Sequence, residues 1–168
     1  MQEQGKKDIV GYIYGDVGST NFNFALNGQP LRKFDYILAP HKEGNMLAQI
    51  MDLKEISDLK FEDATTMMHS GGSHNTVKTS TSAIADVIGY RDHEGILQSP
   101  RTPFSSGAAV MLAKEELIRN VLGLSANKEN GAYIGLLKGH DLQVFLNIDA
   151  LVQKHICIVA KTGGGKSY

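Results

Sequence analysis

The chain has 168 residues, 42% of them hydrophobic, with 17 basic against 18 acidic side chains and a formal net charge of −1. That length holds one compact domain and part of another, and the even charge argues against a free-standing DNA-binding domain, which carries a basic excess to neutralise phosphate. One cysteine, Cys157, excludes an intrachain disulfide; no apolar run nears the roughly 18 residues of a membrane span, MQEQGKKDIV is no signal peptide, and a cytoplasmic protein is expected.

Residues 9–14 read as a β-rich run broken by Gly11 and closed by Gly15. From 20 to 26, Phe22, Phe24 and Leu26 alternate with Asn21, Asn23 and Ala25, the period of a half-buried antiparallel strand. Asn27-Gly28 follows as a turn. Residues 35–39 and 45–53 predict two more strands, the first ended by Pro40 and the second longer and bent. The polar stretch 54–80 has only a weak apolar pattern at Ile56, Leu59 and Phe61. It reads as an excursion from the fold, a short helix and then a mobile loop.

Strand character resumes over 82–90. Ala83, Ala85, Val87 and Gly89 make a small-residue face, suited to tight packing inside a closed barrel or against a neighbouring subunit; Ile84, Asp86, Ile88 and Tyr90 make the other. Pro100 and Pro103 make 99–103 an extended connection, and 108–112 is a further strand. One helix is clear over 114–122: Leu117, Ile118, Val121 and Leu122 share a face, Glu115 and Glu116 sit in the first turn, and Gly123 stops it. Two more strands follow at 131–137 and 143–148, and Asp149 caps a helical turn through Val152. Short strands between Gly and Pro turns predict a mainly β fold, a small closed or partly open barrel with one short helix and a polar excursion.

The last nine residues carry the chemistry. Ala160-Lys161-Thr162-Gly163-Gly164-Gly165-Lys166-Ser167-Tyr168 is a phosphate-binding loop, with Ala160 where the pattern has its first glycine. In front of it the apolar run 156–159 predicts a buried parallel strand, the first strand of an α/β domain. Backbone N–H groups of Lys161 through Tyr168 are expected to wrap the phosphates, Lys166 to reach the outer ones, and the Ser167 hydroxyl to hold Mg²⁺. The following helix, an acidic second strand, a water-positioning residue and an arginine finger do not occur within these 168 residues. A chain ending here is therefore expected to contain no catalytic residue, to bind nucleotide weakly or not at all and to hydrolyse no ATP.

These residues together resemble the amino-terminal region of the HerA family of ATPases. The carriers are Asp86-Val-Ile-Gly-Tyr-Arg-Asp92, Pro100-Arg-Thr-Pro103, Gly107, the helix ending Val121-Leu-Gly-Leu124, Tyr133-Ile-Gly135, and His155-Ile-Cys-Ile-Val-Ala-Lys-Thr-Gly-Gly-Gly-Lys-Ser167. The resemblance implies a HAS-barrel over 1–153 and the start of a RecA-like ATPase domain over 154–168. It also implies a hexameric ring that uses ATP and Mg²⁺ to move duplex DNA, works with a NurA nuclease in resecting double-strand breaks, and uses the barrel for assembly and nuclease docking. Two other readings stay open: a substrate-binding β-domain of another P-loop NTPase, marked by a polar pocket, and a pure interaction module.

The remaining polar residues are expected to do less. His69 and His74 are five apart with Gly71-Gly72 between them, which matches neither helical nor strand ligand spacing, so solvated loop histidines are expected. His41, His93 and His140 fall in turns with no nucleophile beside them, and His155 opens the strand before the loop. Arg91 and Arg101 sit where an arginine meets a carboxylate across a subunit interface or stays in a weak surface pair. Arg32, Lys33 and Lys42 are candidates for one mouth of the barrel.

Overall fold

The computed structural model describes residues 9–70, 77–124 and 129–153, together with 155, 157, 159 and 161. By its contacts the chain divides into two compact units, Met1–Val121 and Leu122–Tyr168.

The first unit is built from short antiparallel strands: β1 (Ile9–Tyr14), β2 (Asn21–Leu26), β3 (Tyr36–His41), β4 (Gly44–Ser57), β5 (Thr79–Arg91), β6 (Leu97–Gln98) and β7 (Ala109–Leu112). They pair in the order β2-β1-β7-β3-β4-β5-β6, and a further pairing of β2 with β5 joins the two ends. Six strands thus form a closed barrel, with β6 a short extension on Tyr90 and Arg91. The expected closed β-barrel is what forms.

The pleat explains why it closes. Phe22 and Phe24 point inward from β2 and are fully buried, opposite Ala85 and Ala83 of β5. Bulky residues on one closing strand sit beside small ones on the other, which leaves both rings room inside a narrow barrel. Val10 and Ile13 of β1, Ile37 and Ala39 of β3, Met46, Ala48 and Ile50 of β4 and Val110 of β7 complete the interior with Phe104. The Phe22 ring lies 6.2 Å from Phe24 and 5.0 Å from Phe104. Across the seam, the Tyr14 hydroxyl and the Ser82 hydroxyl share a 2.7 Å hydrogen bond. The interior is a packed core, not a pore.

Several local expectations change. Gly11 does not break β1; an added Cβ would lie 2.2 Å from the Ala25 carbonyl oxygen, so the glycine allows β2 to approach closely. Pro40 does not end β3 but pairs with Asn45. β7 reaches only Ile37 and Leu38, so β3 has a side without a described partner at Pro40, where a residue lacking N–H is tolerated. β4 is bent, as expected, by irregularities at Leu47/Ala48 and Ile50/Asp52. It also runs four residues beyond the expected boundary, because Lys54–Ser57 pair with Thr79–Ser82 despite their polarity.

The excursion is therefore shorter than 54–80 and contains α1 (Phe61–Ser70); the loop expected after it falls largely on 71–76, outside the described residues. α2 (Glu115–Leu122) forms where the apolar face predicts it, burying Ile118 and Val121, and ends at Gly123 with φ 67°.

The second unit holds the hairpin β8 (Gly131–Leu136) and β9 (Gln143–Asn147), then α3 (Ile148–Val152). The hairpin turn is tied by the Leu137 N–H to the Leu142 carbonyl at 2.8 Å and the His140 N–H to the Leu137 carbonyl at 2.9 Å. α3 begins one residue before Asp149, so Asp149 sits in its first turn, where the dipole favours it, rather than capping it. Among the described residues no helix is long and apolar enough to cross a membrane.

Replacing Phe24, whose side chain has no exposed surface, by alanine is expected to lower barrel stability by about 3–5 kcal/mol. Tyr12→Ala, at a half-exposed outer position, is expected to cost about 1 kcal/mol or less. Urea unfolding followed by circular dichroism checks both; equal losses would mean that β2 does not face a core.

Candidate functional site

Of the phosphate-loop residues, Lys161 is described: it is exposed and outside regular structure. Thr162, Gly163, Gly164, Gly165, Lys166, Ser167 and Tyr168 lie outside the described residues. The strand expected over 156–159 is not observed at the described positions. His155, Cys157 and Val159 carry no regular structure, Cys157 is exposed rather than buried, and Val159 is 88% exposed. A buried parallel strand needs ladder partners on both sides, and no described strand pairs with this segment. The donor set itself, a run of glycine N–H groups with a lysine ammonium and a serine hydroxyl, fits a magnesium-bound triphosphate.

The barrel carries two ordered polar clusters, and sequence reasoning missed both. In the first, the β3–β4 turn is fastened to the connection before β7. The Glu43 N–H donates to His41 Nδ1 at 3.2 Å, which leaves the ring proton on Nε2, and Nε2–H donates to the Thr102 carbonyl at 3.0 Å. Glu43 accepts the Thr102 hydroxyl at 3.0 Å and the Arg101 N–H at 3.1 Å. The His41 ring packs against Phe104 with ring centres 4.8 Å apart and planes tilted by 58°, so the cluster rests on the core. The Arg101 backbone N–H, together with Thr102, holds the Glu43 carboxyl below its usual range.

In the second cluster, Asp92 organises the β5–β6 turn. It accepts the N–H groups of Glu94 and Ile96 at 3.0 and 2.9 Å and the Gln98 amide at 2.8 Å. The Gln98 bond, then the Ile96 N–H, lowers the Asp92 pKa. Only the Asp-His-Glu-Gly run signalled this turn in the sequence. Beside it, Arg91 donates from Nε to the Asn120 carbonyl at 2.6 Å, and from its guanidinium to the Gly95 carbonyl. Arg91 thus spends two of its guanidinium nitrogens within its own chain, one on a carbonyl in the last turn of α2 and one on the β5–β6 turn.

The other expected positions are dispersed. The Arg101 side chain is exposed; His93 lies 3.8 Å from Glu94 at the surface. The Arg32 N–H donates to Asp35 at 2.7 Å, and the Lys33 ammonium sits 5.6 Å from the Phe34 ring centre. Lys42 is exposed on the β3–β4 turn. Among the described residues no group of three or more His, Cys, Asp or Glu is placed to hold a metal ion.

Fold and motif together define a class: a small closed β-barrel whose chain runs on, through a hairpin, into a phosphate-loop sequence. Comparison with known proteins narrows it. The model of the HerA helicase central domain matches residues 132–168. An uncharacterized protein of Aquifex aeolicus is 28% identical over 76% of this chain and 48% of its own length. A probable helicase of Methanocaldococcus jannaschii is 25% identical over 95% of this chain and 31% of its own. The DNA double-strand break repair helicase HerA of Pyrococcus furiosus is 22% identical over 96% and 30%. Over nearly its whole length the chain is thus similar to proteins named as helicases, HerA of Pyrococcus furiosus among them. It spans about half or less of the length of these relatives.

Because the folded pKa of Glu43 is lowered, its stabilising contribution is complete above the ordinary value of 4.5 and is lost as pH falls through the lower folded value. Glu43→Gln is therefore expected to destabilise the barrel at about pH 7 and to flatten the loss of stability between about pH 5 and pH 3. Urea midpoints measured across that range test this. Parallel curves for the two proteins would show that Glu43 is not the titrating group.

Proposed function

We propose that this chain supplies the barrel and the phosphate loop of a HerA-type, ATP-driven DNA translocase. One observation carries the reading: a closed barrel is followed, in order, by a hairpin and a loop sequence that the HerA central-domain model covers continuously from residue 132 to 168. The barrel is proposed to occupy the amino-terminal part of the 1–153 region. The unit boundary after Val121 and the start of the family match favour placing the β8–β9 hairpin with the ATPase domain, together with 154–168.

In this reading Lys161 through Gly165 present backbone N–H groups to the phosphates of ATP. Lys166 pairs the outer phosphates, and Ser167 is a ligand of the accompanying Mg²⁺. Nucleotide supplies the free energy; the barrel, in a chain with no basic excess, does not grip DNA but assembles subunits into a hexameric ring and offers a docking surface for a NurA-type nuclease. The process served is the resection of DNA double-strand break ends, in the cytoplasm. The name of the Pyrococcus relative supports the repair assignment.

Protein expressed from the complete gene is expected to hydrolyse ATP with stimulation by duplex DNA. Lys166→Ala should reduce hydrolysis to background while leaving the assembled mass unchanged. Hydrolysis that survives Lys166→Ala would overturn the assignment of the loop.

A further inference from the structure

The β4–β5 ladder does not stop where the barrel stops. β3 pairs with β4 no further than Gln49, and β2 with β5 no further than Ser82. The pairs from Glu55↔Thr81 to Ser57↔Thr79 therefore have no third described strand beside them. Asp58 extends the ribbon by one step, its N–H donating to the Lys78 carbonyl at 3.2 Å and its carboxylate accepting the Lys78 N–H at 3.0 Å. The result is a two-stranded arm that carries α1 at its tip.

None of the described side chains of α1 is buried, in contrast to α2. Phe61 and Met68 are 87% and 84% exposed. They are seven residues apart, so they lie on one face with Ala64 and Thr65 between them, the anchor spacing of a helix that seats in a groove. A helix of 10 residues is below the length that holds itself in water, and an isolated two-stranded ribbon is marginal as well.

A matching groove lies on the outside of the same barrel. Leu38 of β3, Met111 and Leu112 of β7 and Leu117 of α2 line a depression of about 330 Å³, with Lys114 and Glu116 at its rim. Leu112 is half exposed there.

We propose that α1 of one copy docks in this groove on the next copy, with Phe61 and Met68 entering between Leu112 and Leu117. The occupant is a second copy of this chain because the charges flanking the anchors and the groove are complementary. Glu62 and Asp63 follow Phe61 and oppose Lys114, while Lys60 precedes it and opposes Glu116. The contact joins two different surfaces, so it is head-to-tail and propagates until a ring closes. The inference rests on the ring reading above and names the element that links its subunits.

The test uses protein from the complete gene with Cys157→Ser. Met68→Cys and Leu112→Cys variants are mixed and treated with a short bis-maleimide. The mixture is expected to give a covalent dimer, the double variant a ladder of higher species, and each single variant alone none. Phe61→Asp, at an exposed position that leaves the circular dichroism unchanged, is expected to raise the concentration at which the protein assembles by about tenfold or more. A wild-type protein of ring mass without the Met68–Leu112 cross-link, or one whose assembly ignores Phe61→Asp, sinks the arm and leaves the ring standing. Cross-linking by Met68→Cys alone sinks the head-to-tail contact in favour of arm on arm. A wild-type protein that stays monomeric at every concentration sinks both readings.

Discussion

Everything in the first unit depends on one seam, the pairing of β2 with β5. Without it the sheet would be an open ribbon of six strands with two long edges, a liability that proteins cover or abolish. The seam works because of a size match. Phe22 and Phe24 fill the interior from one side, and Ala85 and Ala83 leave them room from the other. Closure turns every inward side chain toward a common core, and Phe104 is drawn into it from the connection before β7. That placement of Phe104 in turn seats the His41–Glu43–Thr102 cluster over a fixed ring.

Closure also decides what is left outside. The last turn of β4 and the first of β5 overrun the barrel, so their pairing becomes an arm rather than a wall. α2 is held against the barrel by Ile118 and Val121 and fastened at its end by Arg91. The arm follows from how a closed sheet of unequal strands is trimmed, and the depression lined by Leu38, Leu112 and Leu117 lies on the outer face of the same barrel. The phosphate loop follows in sequence, and the chemistry it is fitted for needs groups from beyond its own residues.

Much of this was legible in the residues, and the reasons differ from element to element. β2 declared itself by strict alternation and α2 by its apolar face and by Gly123. These signals are local, so no knowledge of distant contacts is needed. Closure was foreshadowed by the small face of β5, but which strand it would meet depends on tertiary pairing. The full length of β4 was hidden because Lys54 and Glu55 look like loop residues; a ribbon solvated on both faces has no apolar period to read. Pro40 misled for a related reason, since its effect depends on whether a neighbour reaches that side of the strand. The Glu43 and Asp92 clusters are made of backbone N–H groups brought together by turns, and sequence carries almost no trace of them. The run 156–159 reads as a buried strand by composition, whereas Cys157 and Val159, the residues of it that are described, are exposed.

The central claim is that the barrel is closed, and amide hydrogen exchange tests it strand by strand. In a closed barrel successive amides of Asn21–Leu26 bond alternately to β1 and to β5, so all of the paired ones should exchange as slowly as those of the β3–β4 ladder. If the sheet were open at the seam, every second amide of β2 would exchange like an exposed edge while the amides facing β1 stayed protected. Uniform protection supports the account; an alternating pattern contradicts it.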